Sequence, residues 1–148
     1  VAYEFTLTRQ VEFSETDTAG IVHFSNFFRY MEAAEHAFFR SLGFSIHGRG
    51  QTEGLGWPRV HASCDFKAPL RFEDMVEIRL LVREKNERSL AYLFVLRKLD
   101  AAEALEVARG SLVVVCVRRD AANGEMKSMP IPREIADKIE VAPPELLR

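Results

Sequence analysis

The sequence is poor in the features that would tie a chain to metal, membrane or nucleic acid. Its 148 residues hold two cysteines, Cys64 and Cys116, too few for a disulfide framework and better suited to buried thiols in a reducing cytoplasm. No Cys-x-x-Cys or His-x-x-x-His spacing occurs, so no metal site is expected. Apolar runs stay short of the roughly 18 residues of a membrane-spanning helix, and no basic-then-apolar leader opens the chain at Val1. Positive charge is not in excess: 20 Lys and Arg face 22 Asp and Glu, for a net charge of -2. The densest basic pair, Arg118-Arg119, is short, which argues against nucleic acid as a partner. What remains is a soluble intracellular class. At 47% hydrophobic and 28% charged residues, the chain has an ordinary globular composition and the length for one domain, 1-148, with a real core.

The periodicities place the elements. Tyr3, Phe5, Leu7, Val11 and Phe13 share one parity, the period of a half-buried strand. A turn-forming run from Ser14 to Gly20 follows. Then Phe24, Phe27, Phe28, Met31, Ala34, Phe38 and Leu42 recur at three- and four-residue steps, the stripe of a helix packed on a core. Ser25 or Asn26 can cap its start and Gly43 can end it. A helix from Asn26 to Leu42 would be about 25 Å long at 1.5 Å per residue, enough to lie across a whole sheet. Gly43 to Trp57, with Gly43, Gly48, Gly50, Gly54 and Gly56, reads as a long functional or mobile loop.

Strands resume at Arg59 to Lys67, which puts Val60, Ala62, Cys64 and Phe66 on one face and Arg59, His61, Ser63 and Asp65 on the other. Ala68 to Phe72 is a bend, since Pro69 cannot continue a central ladder. Asp74 to Glu84, Leu90 to Lys98 and Glu106 to Arg119 are further strands, joined by a polar hairpin at Lys85 to Arg88 and a loop around Asp100 to Glu103. The last two are apolar on both parities, so both of their faces should be covered. One helix covers one face, and the second cover is expected to be another subunit. Asn123-Gly124 signals a turn, and Pro132 to Ile139 a short terminal helix. The tail "VAPPELLR" is expected to fray. The order is α+β: one long helix on a curled antiparallel sheet of five to six strands.

The run "ETDTAGIVHFSNFFRYMEAAEHAFFRSLG", from Glu15 to Gly43, resembles the first motif of the hotdog-fold acyl-CoA thioesterases of the 4-hydroxybenzoyl-CoA thioesterase type. Asp17, Ala19-Gly20, Ile21-Val22, His23-Phe24 and Asn26 fill the motif's positions, and "CDFKAPLRFEDMVEI" is similar to the family's strand–bend–strand segment. His23 is a departure, since relatives often carry tyrosine or tryptophan there. The resemblance implies a hotdog fold and hydrolysis of an acyl- or aroyl-CoA thioester to a free acid and coenzyme A.

The residue chemistry is compatible with that reaction. The first amides of a helix have no intrahelical acceptor and sit at the positive end of its dipole. Those near His23 and Phe24 can therefore form an oxyanion hole. Gly20 leaves room for substrate to approach the backbone. Asp17 can attack the carbonyl or deprotonate a water. The plainer readings stand beside these. Asp17 can serve an Asx-turn and Asn26 a cap, while His23 suits a pocket wall better than an acid or base. His61 suits a dimer contact better than the pocket. Glu32 and Glu35 read as a solvated or interface edge, and Arg88-Ser89 as a solvent-facing turn that in relatives contacts coenzyme A. Substrate binding is thus assigned to Asn26, His61, Arg88 and Ser89. No cofactor is expected, because coenzyme A is part of the substrate. A homodimer or homotetramer is expected, with acyl carrier protein as an alternative bearer of the acyl group. The competing functions are a hotdog hydratase or dehydratase, which would place Pro-Gly after the histidine, and a non-catalytic acyl-CoA-binding module.

Overall fold

The computed structural model describes residues 2–48, 52–99 and 103–148. Gly50 of the glycine-rich segment, Val1, and most of the loop expected around Asp100 to Glu103 lie outside them.

The chain opens with β1 (Glu4–Gln10), passes through a 3-10 turn at Phe13–Glu15, and enters α1 (Ser25–Ser41). Then come β2 (Leu55–Gly56), β3 (Arg59–Phe66), β4 (Met75–Lys85), β5 (Ser89–Leu99) and β6 (Leu105–Val115). The chain closes with β7 (Val117–Arg119), β8 (Met126–Ser128), α2 (Arg133–Ala136) and a 3-10 turn at Pro144–Leu147. The main sheet has five antiparallel strands in the order β1-β4-β5-β6-β3, and β2-β7-β8 form a smaller sheet. The α+β architecture of one long helix on an antiparallel sheet is the one expected.

Helix α1 buries Phe27, Tyr30, Met31, Ala34, Phe38 and Phe39 against Val76, Ile78, Leu80, Tyr92, Phe94 and Leu112 of the sheet. Each such large side chain removed from water is worth about 1.5–3 kcal/mol, so this interface is the main core. Close approach depends on Gly110 of β6, where a Cβ would lie 2.5 Å from Met31 Cε and 3.0 Å from the Ser63 carbonyl oxygen. The helix ends with Gly43 at φ +91, the left-handed position expected of it.

Several expectations need correction. Phe13 does not continue β1: the strand stops at Gln10, and Phe13 is 74% exposed in the 3-10 turn. Neither Ser25 nor Asn26 caps α1, since both lie inside it and Phe24 occupies the capping position without a side-chain bond. The terminal helix is shorter than Pro132 to Ile139, with Pro132 just ahead of its first turn. The strand expected over Glu106 to Arg119 breaks at Cys116. There the Cys116 amide donates to Arg88 O at 2.8 Å and its carbonyl accepts from Met129 at 3.0 Å. Those bonds turn the chain out of the main sheet, and β7 joins β2 and β8 instead.

The alternation over Arg59 to Lys67 does not give β3 one buried and one open face. The strand is a sheet edge paired only with β6, and both parities are largely open, with Val60 62% and Phe66 48% exposed. The tail does not fray either. Ala142, Leu146 and Leu147 pack with Tyr3 and Val95 over Leu81 and Leu93, the outward side chains of β4 and β5. The Ala142 amide donates to Val82 O at 2.8 Å and Arg109 Nη1 to Arg148 O at 2.9 Å. Part of the second cover that the two-faced strands demanded is therefore the chain's own C-terminal segment. Replacing Leu146 and Leu147 together by Asp should lower stability by about 1–3 kcal/mol, read as a lower urea midpoint. An unchanged midpoint would make the tail's packing incidental.

Candidate active site

Within the segment between β1 and α1, Val11, Ile21 and Val22 tie the chain to the bend before β4, while Glu15 gathers the most hydrogen bonds. Its carboxylate accepts from Arg9 Nη2 at 2.6 Å, the Tyr30 hydroxyl at 2.9 Å and the Glu12 amide at 2.8 Å. Its backbone carbonyl accepts from the His23 amide at 2.9 Å and Asn26 Nδ2 at 2.8 Å. The Arg9 guanidinium also lies 4.8 Å from the Tyr30 ring centroid. Burial, and then the neighbouring Glu15 charge, push the Tyr30 phenol far up, so it stays a hydrogen-bond donor at any working pH. Strand β1, helix α1 and the turn between them meet at this carboxylate.

Two residues further on, Asp17 is fixed by its own backbone. Its amide donates to Ile21 O at 2.8 Å, its carbonyl accepts from Gly20 at 3.0 Å, and Oδ1 accepts the Ala19 amide at 2.8 Å. The plain reading of Asp17 as an Asx-turn residue is thus correct, and it leaves Oδ2 without a partner among the described residues. Gly20 holds φ +82, and a Cβ there would meet nothing within 4 Å. Within the chain its requirement is conformational, since few other residues adopt that backbone shape.

Asp17 and Phe24 line one cleft of about 630 Å³, walled by Ile21, Val22, Phe27 and Phe66 and rimmed by Lys67 and Arg71. Phe24 and Phe27 stand edge-on to Phe66, at centroid distances of 6.4 and 5.2 Å. Most amides at the helix entry are occupied. The His23 amide is taken by Glu15, the Asn26 amide donates to His23 O at 2.9 Å, and the Phe27 amide to Phe24 O at 3.2 Å. The Ser25 amide donates to His23 Nδ1 at 3.3 Å. Phe24 alone keeps an amide without an acceptor among the described residues. The oxyanion pair expected near His23 and Phe24 therefore reduces to the Phe24 donor.

The remaining assignments divide. His23 is exposed and not a cleft wall. Its Nδ1 serves the helix start and also bonds Ser25 Oγ at 2.8 Å, an acceptor role that puts the proton on Nε2. Asn26 is buried and ties the Asp17 segment to α1. His61 sits exposed on the β3 edge beside a bulge. Arg88 donates to Ser128 O at 3.0 Å, and Ser89 closes the hairpin with Asn86. None of these last three lines the cleft.

The sequence reading overlooked Glu15, Tyr30, Arg9, Lys67 and Arg71. Glu12 and Glu15 carry a capping-box spacing that could have marked the turn. It also misjudged Glu35, which is wholly buried and paired with Arg59 at 2.5 Å, while Glu32 reaches the same guanidinium at 3.1 Å. Burial pushes the Glu35 carboxyl up, and the Arg59 charge pulls it back. Lys67 is salt-bridged to Glu106, whose carboxyl is drawn down to about 2 by hydrogen bonds from Arg109 and then Lys67.

A family model described as "Thioesterase-like superfamily" matches residues 11–139. A curated 1,4-dihydroxy-2-naphthoyl-CoA hydrolase of Synechocystis is 29% identical over 87% of this chain and 89% of its own length. The solved structure of a gentisyl-coenzyme A thioesterase is 31% identical, covers 88% of this chain and 98% of that chain, and superposes with a TM-score of 0.76. 4-Hydroxybenzoyl-CoA thioesterase from Pseudomonas sp. strain CBS-3 shares the fold, with a TM-score of 0.82 over 93% of this chain and 99% of that chain at 21% identity.

Two measurements probe the clasp and the rim. Glu15→Ala should destabilise by about 2–3 kcal/mol, because it leaves a buried phenol without its acceptor and Arg9 with only the more distant Glu12, and chemical denaturation should show it. Glu106 has a folded pKa below its unfolded value of about 4.3. Its contribution is complete above that value and is lost as the pH falls toward 2. Parent and Glu106→Gln should therefore differ in stability near neutrality and converge in acid.

Proposed function

The chain belongs to the thioesterase-like superfamily, and from that membership we propose that it hydrolyses an aroyl- or acyl-CoA thioester at the Asp17 cleft. The observation that carries this reading is the pairing of an unengaged carboxylate oxygen and an unengaged helix-entry amide in one aromatic-walled cleft. The aroyl preference is supported by the names of the relatives and by Phe24, Phe27 and Phe66 on the walls.

A carbonyl oxygen placed on the Phe24 amide would put the thioester in the cleft that Asp17 also lines. Along one route Asp17 Oδ2 bonds to that carbon, the C–S bond breaks, and the thiolate leaves and takes a proton from water. Water then cleaves the acyl-aspartyl anhydride, which returns the carboxylate and releases the acid. Along the other, Asp17 takes a proton from a water that attacks the carbon, and the thiol leaves with that proton. Either way negative charge builds on the oxygen facing Phe24, at the positive end of α1. One such donor is worth roughly 2.7–4 kcal/mol in transition-state stabilisation. His23 and Asn26 act here as positioning residues. Coenzyme A enters as part of the substrate, so no cofactor is required, and acyl carrier protein can present the same thioester.

The unpaired edge of β3 supports a homodimer. An open edge with exposed Val60 and Phe66 is a template for a second strand, and self-pairing would bring His61 to the contact. The tail over Leu81 and Leu93 covers part of the outer face of β4 and β5, and the open β3 edge is the contact proposed for a dimer, alone or within a tetramer. Among the described residues no helix is long and apolar enough to cross a membrane, which is compatible with work in the cytoplasm.

Thiol release from a panel of CoA and carrier-protein thioesters should be fastest with aroyl groups, and Asp17→Ala should reduce it by at least about a hundredfold while the fold survives. Equal rates would end the catalytic assignment, and binding without release would make the protein a carrier. An acyl mass on the Asp17 peptide after rapid quench would select the covalent route. Val60→Asp should convert dimer to monomer in light scattering, and an unchanged mass would remove β3 as the interface.

A further inference from the structure

The Asp17 cleft holds one feature that the hydrolytic chemistry does not use. Three ionisable side chains line it: Asp17, Lys67 and Arg71. Lys67 is ion-paired with Glu106, a carboxylate it shares with Arg109. The Arg71 guanidinium has no hydrogen bond, ion pair or ring contact among the described residues. Most arginines of the main sheet and its edges are engaged: Arg9 with Glu15, Arg59 with Glu35, Arg79 with Glu4, Arg97 with Glu77, and Arg109 with Glu106.

The carboxylate nearest in sequence does not serve Arg71 either. Asp74 Oδ2 accepts the Arg71 backbone amide at 2.7 Å and faces Lys98 at 3.6 Å. The Arg71 backbone is fixed at both ends of its reach. It forms a bridge with Ile21, four residues after Asp17, and lies two residues beyond Pro69, which also lines the cleft. The base of the side chain is thus locked to the loop that carries Asp17, and its head is free. A guanidinium has five donors in a planar fork that suits carboxylate and phosphate oxygens. The rest of the lining is apolar, so the cleft offers no competing acceptor except Asp17 itself.

We propose that Arg71 is a specificity residue that binds an anionic group of the thioester substrate, either a carboxylate on the acyl part or a phosphate of the coenzyme A part. This rests on the thioester reading of the cleft. Arg71 acts on binding, and the acyl transfer itself proceeds through Asp17 and Phe24. The arrangement would explain how a protein with a net charge of -2 draws an anion toward a cleft that already contains a carboxylate.

The test is calorimetric titration in an Asp17→Asn background, where turnover does not consume the ligand. Three probes separate the sources: benzoyl-CoA, 4-carboxybenzoyl-N-acetylcysteamine and benzoyl-N-acetylcysteamine. Arg71→Ala should weaken at least one of the two anionic probes by about tenfold or more and leave the uncharged one within about twofold. Arg71→Lys should recover part of the loss. Weakening of benzoyl-CoA alone assigns the phosphate, and weakening of the carboxybenzoyl probe alone assigns the acyl carboxylate. Equal weakening of all three would make Arg71 a wall of the cleft, and no weakening, or no binding of any probe before Arg71 is changed, would equally overturn the proposal. Thiol release by the parent is measured separately, so the hydrolytic reading and the Arg71 assignment can fail independently.

Discussion

The entry into α1, and with it the Asp17 cleft, depends on where Glu15 puts its oxygens. The side chain gathers Arg9 from β1, Tyr30 from α1 and the Glu12 amide, while its carbonyl gathers His23 and Asn26. A turn segment between a strand and a helix would ordinarily be the most mobile part of such a domain. Here it is pinned from both sides by a carboxylate whose side chain is only 12% exposed. That pinning leaves Asp17 little backbone freedom, and it occupies the His23 amide so that the Phe24 amide alone remains open. The chemistry assigned to Asp17 is therefore a property of Glu15 as much as of Asp17.

Much of the fold could be read in advance because it rests on period. The stripe from Phe27 to Phe38 and the alternation of Val76, Ile78 and Leu80 are local signals, and local signals survive folding when they agree with the core. Asp17 and Phe24 share a cleft, which Gly20 does not line, for a related reason: a short turn joining a helix entry keeps neighbours in sequence close in space. What was not legible depends on residues far apart in the chain. Arg9, Glu15 and Tyr30 meet only because β1 and α1 share an end of the sheet. Glu35 looked like a surface glutamate because nothing local announces that Arg59, 24 positions away, will cover it. Strands apolar on both parities ask for two covers, but a sequence does not say whether a cover belongs to the same chain. The tail supplies it over Leu81 and Leu93.

The two ends of the sheet order have opposite fates. Strand β1 is an edge too, but it adjoins the Glu15 clasp, and the Ala2–Ile139 bridge and the C-terminal segment lie alongside it. Strand β3, at the other edge, carries Val60 and Phe66 in the open. Proteins rarely leave such an edge without a charge or a cover. This one is left open beside the cleft, since Phe66 belongs to both the edge strand and the cleft wall. Whatever pairs with β3 must therefore also bear on the shape of the site.

Glu35 tightens that connection. A wholly buried carboxylate is expensive unless paired, and removing one partner of such a pair is worse than never having had it. Arg59 meets the requirement by reaching from the first residue of β3 to the middle of α1, where it binds Glu35 at 2.5 Å and Trp57 O at 2.9 Å. The Tyr92 hydroxyl lies buried beside the same pair, where burial and then the Glu35 charge push its pKa up. The result is a polar rivet between the edge strand and the helix inside an otherwise apolar interface. The helix that presents Phe24 at its N-terminus is thus fixed at its start by Glu15 and at its middle by Arg59. A strand added at β3 would lie beside the second of these points. The position of the Phe24 amide relative to Asp17 is in this sense set jointly by the turn and by the edge, although the two are held by different carboxylates.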